Sequence, residues 1–412
     1  MRVLKGFYVA RYASAWVSGL TLLLIVGSGG CGARGTPSAR GTGRTAGPVT
    51  IYVANADGDT VTPILAASNT AGKPINIRRV PWQIAISPDG QTAYVVGLGD
   101  VVPGPTPVTL TAISTATNRP SRMVTVCARD TMADLAWIAI TPDSRTVYVS
   151  CPGTGEVVPV SAGADTDANP IKIAAPGLLT MTPDGKTVYA ANLGAGVVTP
   201  ISTATDEPGH PIMVGLAPLD MAITPDGKTL LVLTYTGVTP VDVATNRAGR
   251  SVAIEGGVAL VVAPGGTTAY VLAKPNPDSE QGFVVPVGIR ASTAGQPIKV
   301  GMSPQQIAIT PDGRMAYVAN YASGNVTPIQ LAQGRAEPTI AAGKVPARLV
   351  ISPDGKTVYV LDSNPYGALS SGPPSGASPF GVGQVIPIRV ATNSVEKPIK
   401  VGRFPVAIAI AS

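Results

Sequence analysis

The chain has 412 residues, and only 13% of them are charged, against an ordinary share of about 25%. Its formal net charge of +6 lies wholly in the first 48 residues, which contain no acid and six basic residues: Arg2, Lys5, Arg11, Arg34, Arg40 and Arg44. The remainder carries 24 basic and 24 acidic residues. The charge therefore gives no support for a nucleic-acid partner.

Residues 1–30 have the order of a secretory signal peptide. Basic residues precede an apolar stretch, 13–26, which is too short for a comfortable membrane span and is followed by small residues and Cys31. The Gly-Gly-Cys ending resembles a bacterial lipobox, although Ser28 stands where such motifs usually have Leu. We expect a lipoprotein signal that leaves Cys31 lipidated. The alternative is an ordinary signal peptide and a secreted protein.

Residues 31–48 are rich in Gly, Thr, Arg and Ser and contain nothing that could form a core. Such a composition is typical of a flexible tether. The globular part of the chain should therefore span 49–412.

One segment recurs throughout 49–412 at a spacing of about 45 residues, which indicates a solenoid or a propeller. A Pro-Asp pair or its degenerate copy marks each repeat, at Pro88, Pro142, Pro183, Pro225, Pro264, Pro311 and Pro353. Each copy contains four short apolar runs, as in 307–309, 317–320 and 326–329, bounded by Pro-Asp-Gly or Ala-Thr-Asn. Such runs predict strands joined by hairpins, with four strands in each antiparallel repeat.

The two ends of the repeat region indicate a closed ring. The first copy begins midway, at 50–55, and lacks a first strand, whereas 405–410 at the C-terminus supplies one. Counting the second strand of each copy gives eight: Tyr52, Tyr94, Tyr148, Tyr189, Leu230, Tyr270, Tyr317 and Tyr359. We predict an all-β, eight-bladed β-propeller whose C-terminal strand completes the N-terminal blade. Seven blades is the alternative, if the weak copy at 256–287 does not form one.

The Tyr-Val-Ala-Asn strand that follows a Thr-Pro-Asp-Gly-Lys turn resembles the YVTN-repeat β-propellers, which include surface-layer propellers and YncE-like envelope proteins. The resemblance covers nearly all of 49–412 and implies the fold, but the motif residues are turns and core strands and carry no activity. A more remote likeness to propeller lactonases and quinoprotein dehydrogenases brings no motif that can be transferred to numbered residues.

Inserted segments should lie on one side of the propeller. In an up-and-down blade, the connections between strands two and three lie on the same face as the connections between blades. The uniform Pro-Asp-Gly turns lie on the opposite face. The insertions 97–107, 127–136, 274–282 and 363–383 all fall on that face. Variable loops on a rigid scaffold are where function usually lies, so we expect a binding face here. The alternative is that these loops are merely tolerated insertions.

A mixed ring of residues should lie at the start of the innermost strands, near the central channel. It includes five candidates for holding a small polar ligand: Gln83, Trp137, Asp220, Gln306 and Arg348. The alternative is a ring that serves only packing.

Catalytic patterns are mostly absent from the sequence. The single histidine, His210, follows a turn signal on the side opposite the insertions, and a second His for a metal or catalytic cluster does not exist. Asp57 and Asp59 fit a hairpin turn better than a calcium loop. We therefore expect no metal and no cofactor.

Cys127 and Cys151 are an even pair in a chain expected to be exported. Their repeat positions fall on the loop-bearing side of adjacent blades, so we predict a disulfide between blades two and three. Two reduced cysteines are the alternative.

Together these features favour an exported cell-envelope scaffold that binds an envelope protein, a glycan or a small polar ligand. We expect a monomer that meets the membrane only through its lipid anchor, or a secreted protein if Cys31 is not lipidated. A lactonase-like or other hydrolytic propeller enzyme of the envelope is the alternative, and a structural surface component is a third possibility.

Overall fold

The computed structural model describes residues 48–98, 106–130, 136–162, 169–192, 194–275, 279–363 and 381–411. These residues form eight antiparallel sheets, and their one helical element is the short 3₁₀ turn Ala56–Gly58. No helix in the described ranges has the length and apolarity that crossing a membrane requires. The predicted signal peptide and almost all of the predicted tether lie outside the described residues.

Each sheet is one blade with four successive strand positions, from the innermost to the outer edge. The innermost strands of blades 1 to 8 are Pro405–Ala411, Val80–Ile86, Ile138–Ile140, Pro176–Met181, Pro218–Ile223, Gly257–Val262, Pro304–Ile309 and Pro346–Ile351. The second strands are Thr50–Asn55, Thr92–Leu98, Thr146–Cys151, Thr187–Asn192, Thr229–Thr234, Thr268–Ala273, Met315–Asn320 and Thr357–Asp362.

The third strands are Thr60–Leu65, Thr106–Ser114, Glu156–Ser161, Val197–Ser202, Gly237–Asp242, Gln281–Gly288, Asn325–Gln330 and Val382–Arg389. The outer position holds one or two short strands: Thr70–Ala71 with Ile75–Asn76, Val124–Asp130, Ile171–Lys172, Ile212–Met213, Arg247–Ala248 with Val252–Ala253, Thr293–Ala294 with Ile298–Met302, Arg335–Ala336 with Ile340–Ala341, and Ser394–Val395 with Ile399–Arg403.

The C-terminal strand closes the ring, as predicted. Pro405–Ala411 pairs with Thr50–Asn55 in an antiparallel register that places Thr50 opposite Ala411 and Ile51 opposite Ile410. The weak copy also forms a complete blade, blade 6, whose Gly257–Val262 strand pairs with Thr268–Ala273. Eight blades are thus confirmed, and the seven-bladed alternative is wrong.

The core consists of layers of side chains between neighbouring blades. Both faces of each blade's middle strands are covered, so these strands read as almost continuous apolar runs. In the second strand of blade 7, for example, the residues from Ala316 to Asn320 are all buried. The largest fully buried side chains include the repeated tyrosines: Tyr52, Tyr148, Tyr189, Tyr317 and Tyr359.

These five tyrosines each link their own blade to the next one. The Tyr317 hydroxyl donates to Asn393 Oδ1 at 2.8 Å, and Asn393 belongs to the turn between the third and outer strands of blade 8. Equivalent bonds join Tyr52 to Asn118, Tyr148 to Asp206, Tyr189 to Asn246 and Tyr359 to Asn69. All five acceptor residues have a positive φ between 51° and 55°. We call each such pair a tyrosine latch.

The connections divide into two faces. The turn face holds the turns that follow the innermost and the third strands. Its seven turns after an innermost strand all have five residues, as in 87–91 and 310–314. In six of them a Ser or Thr hydroxyl donates to the turn Asp, as Thr310 does to Asp312 at 2.6 Å. Neighbouring turns pack against each other. A Cβ added to Gly227, for example, would lie only 3.3 Å from the Pro183 side chain of the preceding blade.

The loop face holds the other connections, which link the second strand to the third and each blade to the next. Their lengths vary from one residue, at 303 and at 404, to 19 at 363–381. The predicted insertions fall on this side because the strands that flank them end here. Most of their residues, 99–105, 131–135, 276–278 and 364–380, lie outside the described ranges.

Candidate functional site

Four of the five ring residues predicted from the sequence lie on innermost strands near the loop face and Trp137 directly precedes one, but all five side chains are buried. Asp220 has no exposed surface, and the other four are at most 6% exposed. They belong to blades 2, 3, 5, 7 and 8, so they form a spaced ring and are not one compact cluster.

Three of these side chains hold neighbouring blades together. Gln83 Oε1 accepts a hydrogen bond from the Ile138 backbone N–H at 3.1 Å, and Ile138 lies on the innermost strand of the next blade. Gln306 Oε1 accepts from Leu349 at 2.7 Å in the same way. Asp220 Oδ2 accepts from Leu260 at 2.7 Å. We call these three contacts inter-blade staples.

Asp220 is an acid in an environment that disfavours its charge. Its Oδ1 also accepts from its neighbour Met221 at 2.8 Å, so two backbone N–H groups stabilise the carboxylate. Complete burial outweighs these hydrogen bonds and raises the pKa of Asp220 to about 7.

Arg348 and Trp137 complete the ring. Burial lowers the pKa of the Arg348 guanidinium to about 10, and its Nη1 donates to the Ala347 carbonyl at 3.2 Å. The Trp137 backbone N–H donates to Ser150 on the second strand of its own blade. The contacts of the five residues thus run within and between the blades, and their role in binding a ligand stays a prediction.

Cys127 and Cys151 form a disulfide that joins blade 2 to blade 3, with the Cα atoms 6.1 Å apart. At the boundary between blades 8 and 1, the equivalent positions hold Gly402 and Asn55, whose N–H and Oδ1 share a 3.0 Å hydrogen bond. A covalent bond therefore stands where the boundary between blades 8 and 1 has a hydrogen bond.

An acid, Asp130, accompanies this disulfide. A carboxylate oxygen of Asp130 lies within 4.8 Å of both sulfurs, and all three residues are buried. Because the sulfurs are bonded to each other, they are not the thiolates that a metal ion would require.

The remaining sequence candidates lie in turns. His210 is exposed in the connection before the outer strand of blade 4, away from the loop face. Asp57 lies in the 3₁₀ turn of blade 1, and Asp59 ends that turn with a φ of 50°, as the hairpin interpretation expects.

Exposed apolar side chains are concentrated on the loop face, which the sequence interpretation missed. Among the described residues, seven large hydrophobic side chains are exposed. Five of them lie on the loop face: Met213, Leu216, Tyr235, Met302 and Val382. The two on the turn face, Leu65 and Val395, are the least exposed, at 43% and 42%. Single exposed hydrophobics are ordinary, but their concentration on one face is typical of an interaction surface.

No protein-family model matches the chain, and no curated protein matches it. Membership of the YVTN-repeat family therefore remains a resemblance.

Solved structures with the same fold are numerous, and they differ in function. The dihydro-heme d1 dehydrogenase NirN is similar over 90% of this chain and 77% of its own, with a TM-score of 0.69 at 14% identity. Apo AztD from Citrobacter koseri covers 89% of this chain and 99% of its own, with a TM-score of 0.60 at 12% identity. A chain of Kuenenia stuttgartiensis hydrazine synthase is similar over 78% of this chain and 95% of its own, with a TM-score of 0.55 at 19% identity. At these identities the likeness shows the propeller fold alone.

Proposed function

We propose that this chain is an exported propeller that acts in the cell envelope as a binding scaffold and holds its partner on the loop face. One observation carries the proposal: the two faces are built differently. The turn face repeats a five-residue turn after the innermost strand of seven blades, whereas the loop face holds the longest connection, 363–381, and, among the described residues, most of the exposed large hydrophobic side chains.

The position of the predicted anchor supports this assignment. The second strand of blade 1 begins at Thr50 and the C-terminal strand ends at Ala411, and the two residues are paired at the turn face. The tether predicted to follow Cys31 therefore joins the propeller on the turn face. A lipid-anchored protein arranged in this way directs its loop face away from the bilayer.

The rigidity of the blades suits a scaffold that must present loops in fixed positions. Tyrosine latches connect neighbouring blades near the turn face. Inter-blade staples and the disulfide connect them near the loop face. A loop attached to such a frame loses less conformational freedom on binding than one attached to a mobile support.

Affinity capture from cell envelopes tests the proposal. The bait is the propeller with residues 364–380 replaced by a short Gly-Ser link, compared with the wild type and with a turn-face variant, Leu65→Asp. We expect the loop replacement to reduce recovery of the bound component and Leu65→Asp to leave it unchanged. Loss only from the turn-face variant would contradict the binding-face assignment, and equal recovery from all three baits would show that the 364–380 connection is not the contact on that face.

Two further measurements address the class of protein and its location. A lactone panel, assayed with and without a divalent metal, should show no turnover, and measurable turnover would favour the hydrolytic alternative. Cys31→Ser should release the protein from membranes or block its processing, because lipidation requires the thiol. If the mutant and the wild type have the same mature mass in the soluble fraction, the anchor is absent.

A further inference from the structure

The loop face of blades 4 and 5 carries an apolar patch, formed by Met213, Leu216 and Tyr235. Met213 is 68% exposed, Leu216 76% and Tyr235 54%, which makes them the three most exposed large hydrophobic residues among those described. Resting on the binding role proposed above, we infer that this patch is where the loop face takes hold of a water-soluble protein that offers its own apolar side chains.

Contacts between the two blades bring the three residues together. Met213 pairs with Val197 beside the turn of blade 4, and a Cβ on Gly196 in that turn would lie 3.2 Å from Leu216 Cα. A second close approach joins the residues that precede Leu216 and Tyr235: a Cβ on Gly215 would lie 3.4 Å from the Thr234 side chain. Leu216 and Tyr235 are therefore close to each other. The patch thus spans a blade boundary.

The backbone under the patch is fixed. The buried Thr239 hydroxyl donates to the Val214 carbonyl at 2.7 Å, and the Val214 N–H donates to Gly196 at 3.0 Å. The Gly256 N–H donates to the Tyr235 carbonyl at 3.1 Å. The exposed side chains therefore project from a set position, which lowers the entropic cost of binding.

The sequence of this sector carries little charge. The connections 173–175, 193–196, 214–217 and 235–236 consist of uncharged residues only, although the exposed Glu255 lies beside them in 254–256, the connection whose Gly256 bonds to Tyr235. On the turn face of the same two blades, by contrast, lie Asp184, Lys186, Asp206, Glu207, Asp226 and Lys228. Depletion of charge around exposed aromatic, Met and Leu side chains is typical of the centre of a protein–protein interface.

The position of the tether favours a soluble protein over the bilayer as the occupant. A flexible chain as long as the predicted tether, 17 residues, has a root-mean-square span of about 23 Å and a maximum reach of about 60 Å. To turn the patch toward the membrane, the tether must pass two strand spacings outward, about 10 Å, and one strand length, about 20 Å. That path is within the maximum reach but longer than the root-mean-square span, so it requires a stretched tether. The patch also has none of the Lys and Arg residues that attract an anionic surface.

Site-specific photo-crosslinking in the full-length anchored protein tests the inference. A photoreactive amino acid is placed at position 216 or 235 on the patch, or at position 65 on the turn face. We expect a protein adduct from the patch positions that position 65 does not give. The adduct is identified by mass spectrometry, and the identified protein is purified for direct binding measurements.

The binding measurements compare wild type with Leu216→Asp, Tyr235→Ser and the matched control Leu65→Asp. We expect each patch variant to weaken binding by at least about tenfold and the control to leave it unchanged. All three side chains are exposed, so thermal melting should stay the same and a binding loss cannot be ascribed to unfolding.

Each other outcome contradicts the inference in a distinct way. An adduct with a second copy, accompanied by a concentration-dependent dimer, makes the patch a self-association surface. A lipid adduct, or flotation with anionic vesicles that Leu216→Asp abolishes, makes it a membrane contact. If the loop replacement 364–380 abolishes binding but Leu216→Asp does not, the loop-face scaffold stands and this patch is not its site. If neither change matters, both proposals fail.

Discussion

At the scale of single residues, the polar groups beside the channel are explained by an irregularity of the innermost strands. The register between the innermost and second strands shifts near the loop face, as between Pro218 and Asp220 and between Pro304 and Gln306. In the next blade, a buried backbone N–H close to this irregularity, that of Leu349 or Leu260, then needs an acceptor. A buried, unpaired N–H costs about 1–3 kcal/mol. Gln306 and Asp220 supply the acceptor.

Replacing one staple should therefore destabilise the propeller without affecting its surface. Gln306→Leu removes the acceptor of the Leu349 N–H, and we expect a loss of about 1–3 kcal/mol in the free energy of unfolding. The neighbouring Gln305→Leu is the matched control, because the Gln305 amide makes only a 3.5 Å contact with Ser303. Denaturant unfolding of both variants gives the comparison. Equal stability of the two would show that the Leu349 bond contributes nothing.

Asp220 adds a dependence on pH that the glutamine staples lack. Its folded-state pKa of about 7 lies above the ordinary value of 3.8, so its favourable contribution is complete below pH 4 and is lost as pH rises through 7. We expect the free energy of unfolding to fall by up to about 1.4 kcal/mol per pH unit in that window.

The measurement is denaturant unfolding of wild type and Asp220→Asn at several values of pH between 4 and 8. The variant should lack this slope, whatever its absolute stability. The turn-face acids Asp143, Asp184 and Asp312 do not interfere, because hydrogen bonds from the turn hydroxyls lower the pKa of each carboxyl and place its effect below pH 4. Parallel pH profiles for the two proteins would disprove the assignment.

At the scale of strands and turns, the tyrosine latch accounts for two halves of the repeat motif that look independent in the sequence. The Tyr lies in a second strand, and its acceptor lies in the αL position of a turn in the following blade. Blade 6 provides a natural exception, since its Tyr270 would face Gly334, the αL residue of the blade 7 turn, which has no side chain to accept a bond.

The exception provides a controlled test of the latch. Tyr317→Phe removes the bond to Asn393 and should cost about 0.5–1.5 kcal/mol in the free energy of unfolding, whereas Tyr270→Phe should cost close to nothing. Burial also raises the pKa of Tyr317 to about 12, so the bond should survive until the pH rises well beyond 10. Unfolding of both variants at pH 7 decides the matter, and equal losses would mean that the hydroxyl bond is not the cause.

The disulfide should act on a pair of blades and leave the rest of the ring intact. Cys127→Gly with Cys151→Asn restores the pair of residues found at the boundary between blades 8 and 1. Chain-entropy reasoning gives a loss on the order of 3 kcal/mol for a bridge with a separation of 24 residues, less whatever the new hydrogen bond contributes. The double variant Cys127→Ser with Cys151→Ser, which forms neither the disulfide nor the Gly–Asn hydrogen bond, should lose more free energy of unfolding. Non-reducing peptide mapping of the wild type is the control, and free thiols at both positions would refute the bridge.

At the scale of the whole molecule, the sequence predicted what depends on repetition. Strand type, blade number and ring closure followed from eight copies of one pattern, and the structure confirms all three. The staples did not follow, because a polar residue such as Gln306 looks the same whether it faces a channel or a neighbouring N–H. The exposure of Leu216 and Met213 could not be predicted either, since an apolar residue near a short connection is usually interpreted as part of the core.

Closure by the C-terminal strand should be essential to the ring. Deleting 404–412 removes the strand that pairs with Thr50–Asn55 and uncovers buried residues such as Ile51 and Val53. An unpaired strand edge with apolar neighbours promotes association, so we expect opening or aggregation. Deleting 39–47 from the tether is the control and should leave the propeller intact. Light scattering and thermal melting report the difference, and an unchanged monomer after the C-terminal deletion would refute the clasp.

If the clasp works only by completing blade 1, the chain ends need not lie where they do. Thr50 and Ala411 are paired neighbours, and five of the other seven blades join the equivalent residues through Pro-Asp-Gly and one more residue, as between Thr310 and Met315. A circular permutant that links Ala411 to Thr50 through Pro-Asp-Gly-Lys, with new ends in the 363–381 connection, should therefore fold as a monomer. Because all eight blades then have covalent hairpins, its midpoint of denaturation should be at least that of the wild-type propeller. A permutant that melts well below the wild type would show that the native chain ends contribute more than the missing strand.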